Sequence, residues 1–169
     1  GMTESAEATL TTNAGGTSTS IGNGDFRGGT VTLPTTDDFY IITDLEMKTG
    51  TGTVSTSLVM CAFISDTNPP GSSTIPLLVA MTPSITVSAA STIYKQAVGY
   101  SIPIDGGKEL FVAINQGTNA RTWDTATGTS EVRNFLETFA ASPAINRNPT
   151  WEAANTTEPY IKIYYRGYT

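Results

Sequence analysis

The architecture turns on Leu58-Val59-Met60-Cys61-Ala62-Phe63-Ile64, an unbroken apolar run. A short run of this kind fits a strand covered on both faces, and also a piece of buried helix. Its surroundings favour the strand. Thr56 and Ser57 precede it, Ser65 follows it, and Gly50-Thr51-Gly52 forms a bend just upstream. Hydroxyl and β-branched flanks with nearby glycine suit pleated structure more than helix.

Working outward, the segments on either side repeat a period of two. Residues 39–48 place Phe39, Ile41, Leu45 and Met47 on one side, with Asp44, Glu46 and Lys48 on the other. That is the pattern of a half-buried strand. Residues 29–33, 75–81 and 84–89 read as further short strands. Residues 93–104 read as one long strand alternating through Tyr94, Val98, Tyr100, Ile102 and Ile104. Asp105-Gly106-Gly107 tolerates positive φ and predicts a hairpin turn, with residues 109–115 returning from it. Residues 160–165 form a last strand, with Ile161, Ile163 and Tyr165 against Tyr160, Lys162 and Tyr164. Residues 116–130 are polar and turn-rich around Trp123. Residues 131–141 fit either helix or strand, since Phe135 and Phe139 lie at helical spacing and Ser130 can cap.

Bends recur every ~8–14 residues, too close for parallel crossovers, so neighbouring strands should run antiparallel. About eight strands or more in a chain of 169 residues predict an all-β, two-sheet antiparallel β-sandwich of jelly-roll type. Residues 29–169 form that single domain. Residues 1–28 are a Thr/Gly/Ser-rich N-terminal arm whose few apolar residues are Leu10, Ile21 and Phe26. Composition alone would leave the arm unfolded. Order in it would require packing on its own domain or on a neighbouring subunit, as in strand addition to a sheet edge.

Composition removes several functions. Charged residues make up 14% of the chain, against roughly 25% in an average soluble protein. The net charge is −6, and the nine basic residues are scattered singly. A phosphate-backbone binder needs them clustered, so no nucleic-acid partner is expected, and no anionic membrane surface either. No apolar run approaches the ~20 residues that span a bilayer, so no membrane insertion is expected. The chain has no histidine, which removes the commonest general base and His-ligated zinc. Cys61 is the one cysteine, so no intrachain disulfide forms, and in its apolar strand it reads as an inert small hydrophobe. Gly1 before Met2 reads as the remnant of a cleaved tag, and no secretion signal is visible after it. The chain would stay in the cytoplasm, or leave the cell only inside an assembled particle.

Cys61-Ala62-Phe63-Ile64-Ser65-Asp66, the Pro70-Gly71 loop and Leu77-Leu78-Val79-Ala80 follow one another in a recurrent order. Tyr100-Ser101-Ile102-Pro103-Ile104-Asp105-Gly106-Gly107, Leu110-Phe111-Val112-Ala113-Ile114 and residues 159–167 continue it. Over residues 38–167 the chain resembles jelly-roll modules of phage tail and virion-associated proteins, also found on bacterial surface proteins. The resemblance implies display or adhesion by a homo-oligomer, with a trimer the usual state of such tail proteins. It supplies no catalytic motif.

The candidate chemistry is sparse. Asp37-Asp38, Asp66 with Asn68, and Asp105 with Glu109 are loop carboxylates, but no calcium-loop spacing is present. Turn formation explains them equally well, and no metal or cofactor is expected. A glycoside-active enzyme would need two carboxylates roughly 5–9 Å apart. Glu46, Asp124, Glu131, Glu137, Glu152 and Glu158 single out no pair. Trp123-Asp124 and Trp151-Glu152 are the candidate ligand-binding residues, because an exposed indole beside a carboxylate can stack a sugar face and bond its hydroxyls. That would make the chain a carbohydrate-binding module, with a cell-surface glycan as partner. The competing reading has each Trp plugging an end of the sandwich. Tyr94, Tyr100, Tyr160 and Tyr164 read as core edge or subunit contact. The Gly22-Asn23-Gly24 and Gly28-Gly29 pieces lack a phosphate-loop lysine, so no nucleotide is expected. The leading expectation is a non-catalytic structural or adhesive module.

Overall fold

The computed structural model describes residues 1–21, 25–64, 77–117, 121–127, 133–136, 150–151 and 157–169. Among them there is no helix, and so none long and apolar enough to cross a membrane. The strands in chain order are β1 (Ala8–Thr11), β2 (Thr17–Ile21), β3 (Asp25–Thr32), β4 (Phe39–Lys48), β5 (Thr56–Ile64), β6 (Leu77–Met81), β7 (Ile85–Val87) and β8 (Ile93–Ala97). They continue with β9 (Tyr100–Ser101), β10 (Ile104–Asp105), β11 (Glu109–Gln116), β12 (Arg121–Thr127), β13 (Arg133–Leu136), β14 (Thr150–Trp151), β15 (Thr157–Pro159) and β16 (Ile161–Tyr168).

These strands form the expected antiparallel β-sandwich. One sheet runs β1-β16-β4-β10, with β8 also on β4; the other runs β14-β13-β3-β11-β5-β6-β9, with β7 on β5. A small third sheet, β15-β12-β2, joins the first through a Thr49 to Trp123 bridge and the Tyr160 amide on the Asp124 carbonyl. Neighbours such as β4 and β16, or β3 and β11, are far apart in sequence, the crossing pattern of Greek-key and jelly-roll sandwiches.

The main core lies between the layers. Tyr40, Ile42, Leu45 and Met47 of β4 and Ile161, Ile163 and Tyr165 of β16 meet Leu58, Met60 and Ala62 of β5 and Leu110, Val112 and Ile114 of β11. A second cluster of Cys61, Phe63, Leu78, Phe111 and Ala113 lies on the opposite face of β5, β6 and β11. The run 58–64 is therefore apolar on both faces because both faces are covered. Alternation in β16 also holds: Ile161, Ile163 and Tyr165 face inward.

Four sequence expectations need correction. The first half of β4 presents Tyr40 and Ile42 to the core, while Phe39 and Ile41 are only half-buried. A bulge is the reason: Asp44 pairs with Tyr164 and Ile42 with Tyr165, leaving Thr43 extra on β4. One inserted residue reverses the facing of everything before it. Residues 93–104 do not form one strand. β8 pairs with β4, β9 with β6 and β10 with β4, so the segment passes between the layers and back. Asp105-Gly106-Gly107 consequently links β10 in one sheet to β11 in the other rather than closing a hairpin; Gly107 takes φ +78° there. The polar stretch around Trp123 is also strand, β12, paired with β2 and β15. Of residues 131–141, those described form β13; the rest lie outside the described residues.

The arm lies along its own domain. β1 pairs with β16 from Ala8 opposite Tyr165 to Thr11 opposite Lys162, and β2 pairs with β12. Backbone pairing supplies the stabilisation that its apolar content cannot.

Candidate functional site

The carboxylates lead to the chemistry. Glu46 projects from the outer face of β4, opposite Lys162 on β16 and Lys95 on β8. An outer-face carboxylate would ordinarily be solvated, yet Glu46 is 5% exposed. Tyr160 and Tyr164 cover it, donating their hydroxyls to Oε2 at 2.7 Å and to Oε1 at 2.6 Å. Such lengths mark charge-assisted bonds. Lys162 Nζ stands 4.0 Å from Oε2, and Lys95 Nζ sits 3.9 Å from the centre of the Tyr164 ring. The bond to Glu46, and then burial, push the Tyr164 hydroxyl up to about 12. Burial, and then Glu46, raise Tyr160 further still. Phenols held protonated this firmly are poor nucleophiles and bases, and each Glu46 oxygen already accepts a proton donor. The cluster fastens β4 to β16.

Asp37 performs a similar task at the ends of the chain. Its carboxylate accepts Ser5 Oγ at 3.0 and 3.1 Å and Thr169 Oγ1 at 2.6 Å. Its backbone amide donates to Tyr40 Oη at 3.0 Å. Gly167 leaves the space the carboxylate occupies, since a Cβ there would collide with Asp37 Oδ2. Beside it, Arg166 pairs with Glu4 at 3.1 Å and Tyr168 Oη donates to Glu4 at 2.9 Å.

The four residues chosen from sequence separate. Trp123 is fully buried, so it offers a sugar no face. The expectation of an exposed indole is corrected: β12 turns the ring inward, where it fills the core beside Ile21. Its Nε1 donates to Gln116 Oε1 at 2.7 Å, and Gln116 Nε2 donates to the Ile21 carbonyl at 2.7 Å. Arg121, two residues earlier on the same side, donates to the carbonyls of Gly52, Val54 and Ala89 at 2.7, 2.9 and 3.2 Å. Burial lowers its pKa. Asp124 points to the other side, where Oδ1 accepts the Gly16 amide at 2.8 Å and so holds the bend of the arm. Trp151 contributes its backbone to β14, opposite Phe135; its side chain and all of Glu152 lie outside the described residues. Asp66, Asn68, Glu131 and Glu137 also lie outside them.

Glu158, 6% exposed, accepts Asn13 Nδ2 at 2.9 Å, which ties β15 to the arm. Glu46, Asp124 and Glu158 thus each hold a neighbouring segment. Asp38, Asp105 and Glu109 are exposed. Among the described residues no group of three or more His, Cys, Asp or Glu is placed to hold a metal ion. A depression of about 70 Å³ is lined by Thr17, Thr19, Thr125, Ala126, Thr127 and Thr157. Sites that enclose a small-molecule ligand are several-fold larger, ~300 Å³ and up.

Sequence reasoning missed the Glu46 cluster and the Asp37 clamp. The alternating Tyr160, Lys162 and Tyr164 signalled one partly polar face, but only the β4 to β16 register shows which carboxylate they meet.

No family model matches the chain, and no curated protein does. Among solved structures it is similar to that of infectious bursal disease virus Gx strain, at 12% identity and a TM-score of 0.36. The match covers 98% of this chain and 42% of that one, so the chain spans less than half the other's length.

Proposed function

We propose that this chain is a non-catalytic structural or adhesive module of a phage-like virion or tail, working as a homo-oligomer. It would reside in the virion, and in the cytoplasm before assembly. One observation carries the reading: Asp37, Glu46, Asp124 and Glu158 are each engaged in fastening strands or the arm. Side chains that could have done acid–base work hold a shape instead. The order of motifs shared with tail and virion modules points the same way. A rigid sandwich acts passively, presenting loops and edges by shape and hydrogen bonding.

Light scattering on the intact chain at micromolar concentration tests the reading. A mass of two or more chains of 17.8 kDa each is expected. A monomer throughout that range contradicts it.

A further inference from the structure

We infer that residues 1–12 form an exchangeable strand, which a second copy of this chain accepts along its own β16. The inference rests on the homo-oligomer reading and adds the contact that would build it.

The two halves of the arm are held differently. β2 ends in Ile21, 2% exposed within the main core, and its neighbour β12 carries the buried Trp123. That half is anchored. β1 offers the core only Ala8 and Leu10, each half-buried. Hydrogen bonds do the rest. The Thr3 amide meets the Thr169 carbonyl, the Ser5 amide that of Gly167, and the Thr12 amide that of Ile161. Thr12 Oγ1 adds bonds to the Pro159 carbonyl and the Ile161 amide. Lifting β1 therefore exposes little apolar surface, and an identical edge on another copy restores every bond.

The recognition is also specific. Glu4 meets Arg166 and Tyr168, and Ser5 meets Asp37. A partner must present those groups in the same register, which is what a second copy does. Between the halves lies a hinge. Gly15 and Gly16 take φ of +70° and +115°, and a Cβ built at Gly16 would have no neighbour within 4 Å. Rotation there redirects residues 1–13 at the cost of the packing of Ala8 and Leu10 and of the Asn13 bond to Glu158, both of which a second copy offers again. Hinges of this kind are where elements are handed between protomers.

The test uses the register of β1 and β16. Thr11 lies opposite Lys162 on the outward face, and directly opposed strand residues are within disulfide reach. The full chain carrying Thr11→Cys and Lys162→Cys is oxidised and run on a non-reducing gel, with light scattering on the same sample. With Cys61→Ala in every chain of the experiment, a second preparation mixes unfolded chains bearing one of the two substitutions each and refolds them together, so that only a bond between chains can form. Covalent dimers or larger species in the first and covalent dimers in the second are expected. An oligomer that forms only intrachain disulfides, or none, overturns the exchange and leaves the homo-oligomer reading standing. A monomer by light scattering overturns both.

Discussion

Thr3 and Thr169 exchange both of their backbone hydrogen bonds, each at 2.9 Å, so the segments around them lie side by side next to the Glu4 to Tyr168 bridge. Asp37 reinforces the pairing by accepting Ser5 from one end and Thr169 from the other. Replacing Asp37 with Ala leaves those donors to water and removes a charge-assisted clamp. A loss of about 1–3 kcal/mol in urea unfolding is expected. Gly167→Ala should act in the same direction, because its methyl group displaces the same carboxylate. Stability unchanged in both variants would remove the clamp from the account.

Glu46 should matter more than an outer-face carboxylate normally does. Glu46→Leu leaves the Tyr160 and Tyr164 hydroxyls without their acceptor, at an expected cost of about 1–3 kcal/mol. Glu46→Gln retains one acceptor oxygen and should cost less. The phenolate absorbance of Tyr164 should then titrate at lower pH than in the parent chain. If Glu46→Leu matches the parent in urea, the cluster is ornamental.

The same cluster predicts an alkaline limit. Tyr164 is protonated more firmly in the folded chain than in the unfolded one, at about 12 against an ordinary 10.0. A raised value stabilises the fold fully below pH 10.0, and that contribution is lost as pH rises through about 12. Tyr160 acts in the same direction. Urea midpoints should fall across this window, and fall less steeply in Tyr164→Phe. Equal slopes for the two chains would contradict the assignment.

Trp123 should behave as core. Trp123→Ala is expected to cost about 3–5 kcal/mol, since the cavity lies beside Ile21 and orphans Gln116 Oε1. In a Trp151→Phe background, indole fluorescence should resist a soluble quencher until the chain unfolds. Ready quenching of the folded chain would place the ring at the surface.

How much of this was legible in the sequence depended on the range of the interaction. The two-faced burial of Leu58 to Ile64 and the alternation of β16 are local patterns, and they read correctly. The bulge at Thr43 was not legible, because an inserted residue shows no signature until its partner strand is known. β12 was hidden for a different reason. Its inward residues Arg121, Trp123 and Thr125 are mostly polar, so a period of two did not appear as hydrophobic alternation. The partners of Glu46 depend on register between strands more than a hundred residues apart, as in the |i−j| of 114 to Tyr160. The arm misled by composition: serine and threonine suggest disorder, yet an edge strand needs only backbone groups and an accepting neighbour.

Hydrogen exchange at the arm tests that last point most directly. The amides of Thr3, Ser5 and Thr12 are bonded to Thr169, Gly167 and Ile161, whether the accepting strand belongs to the same copy or to another. They should exchange far more slowly than in an isolated peptide of residues 1–21. Exchange at the peptide rate, with the amides of β11 protected in the same sample, would mean that the sandwich is complete without its arm.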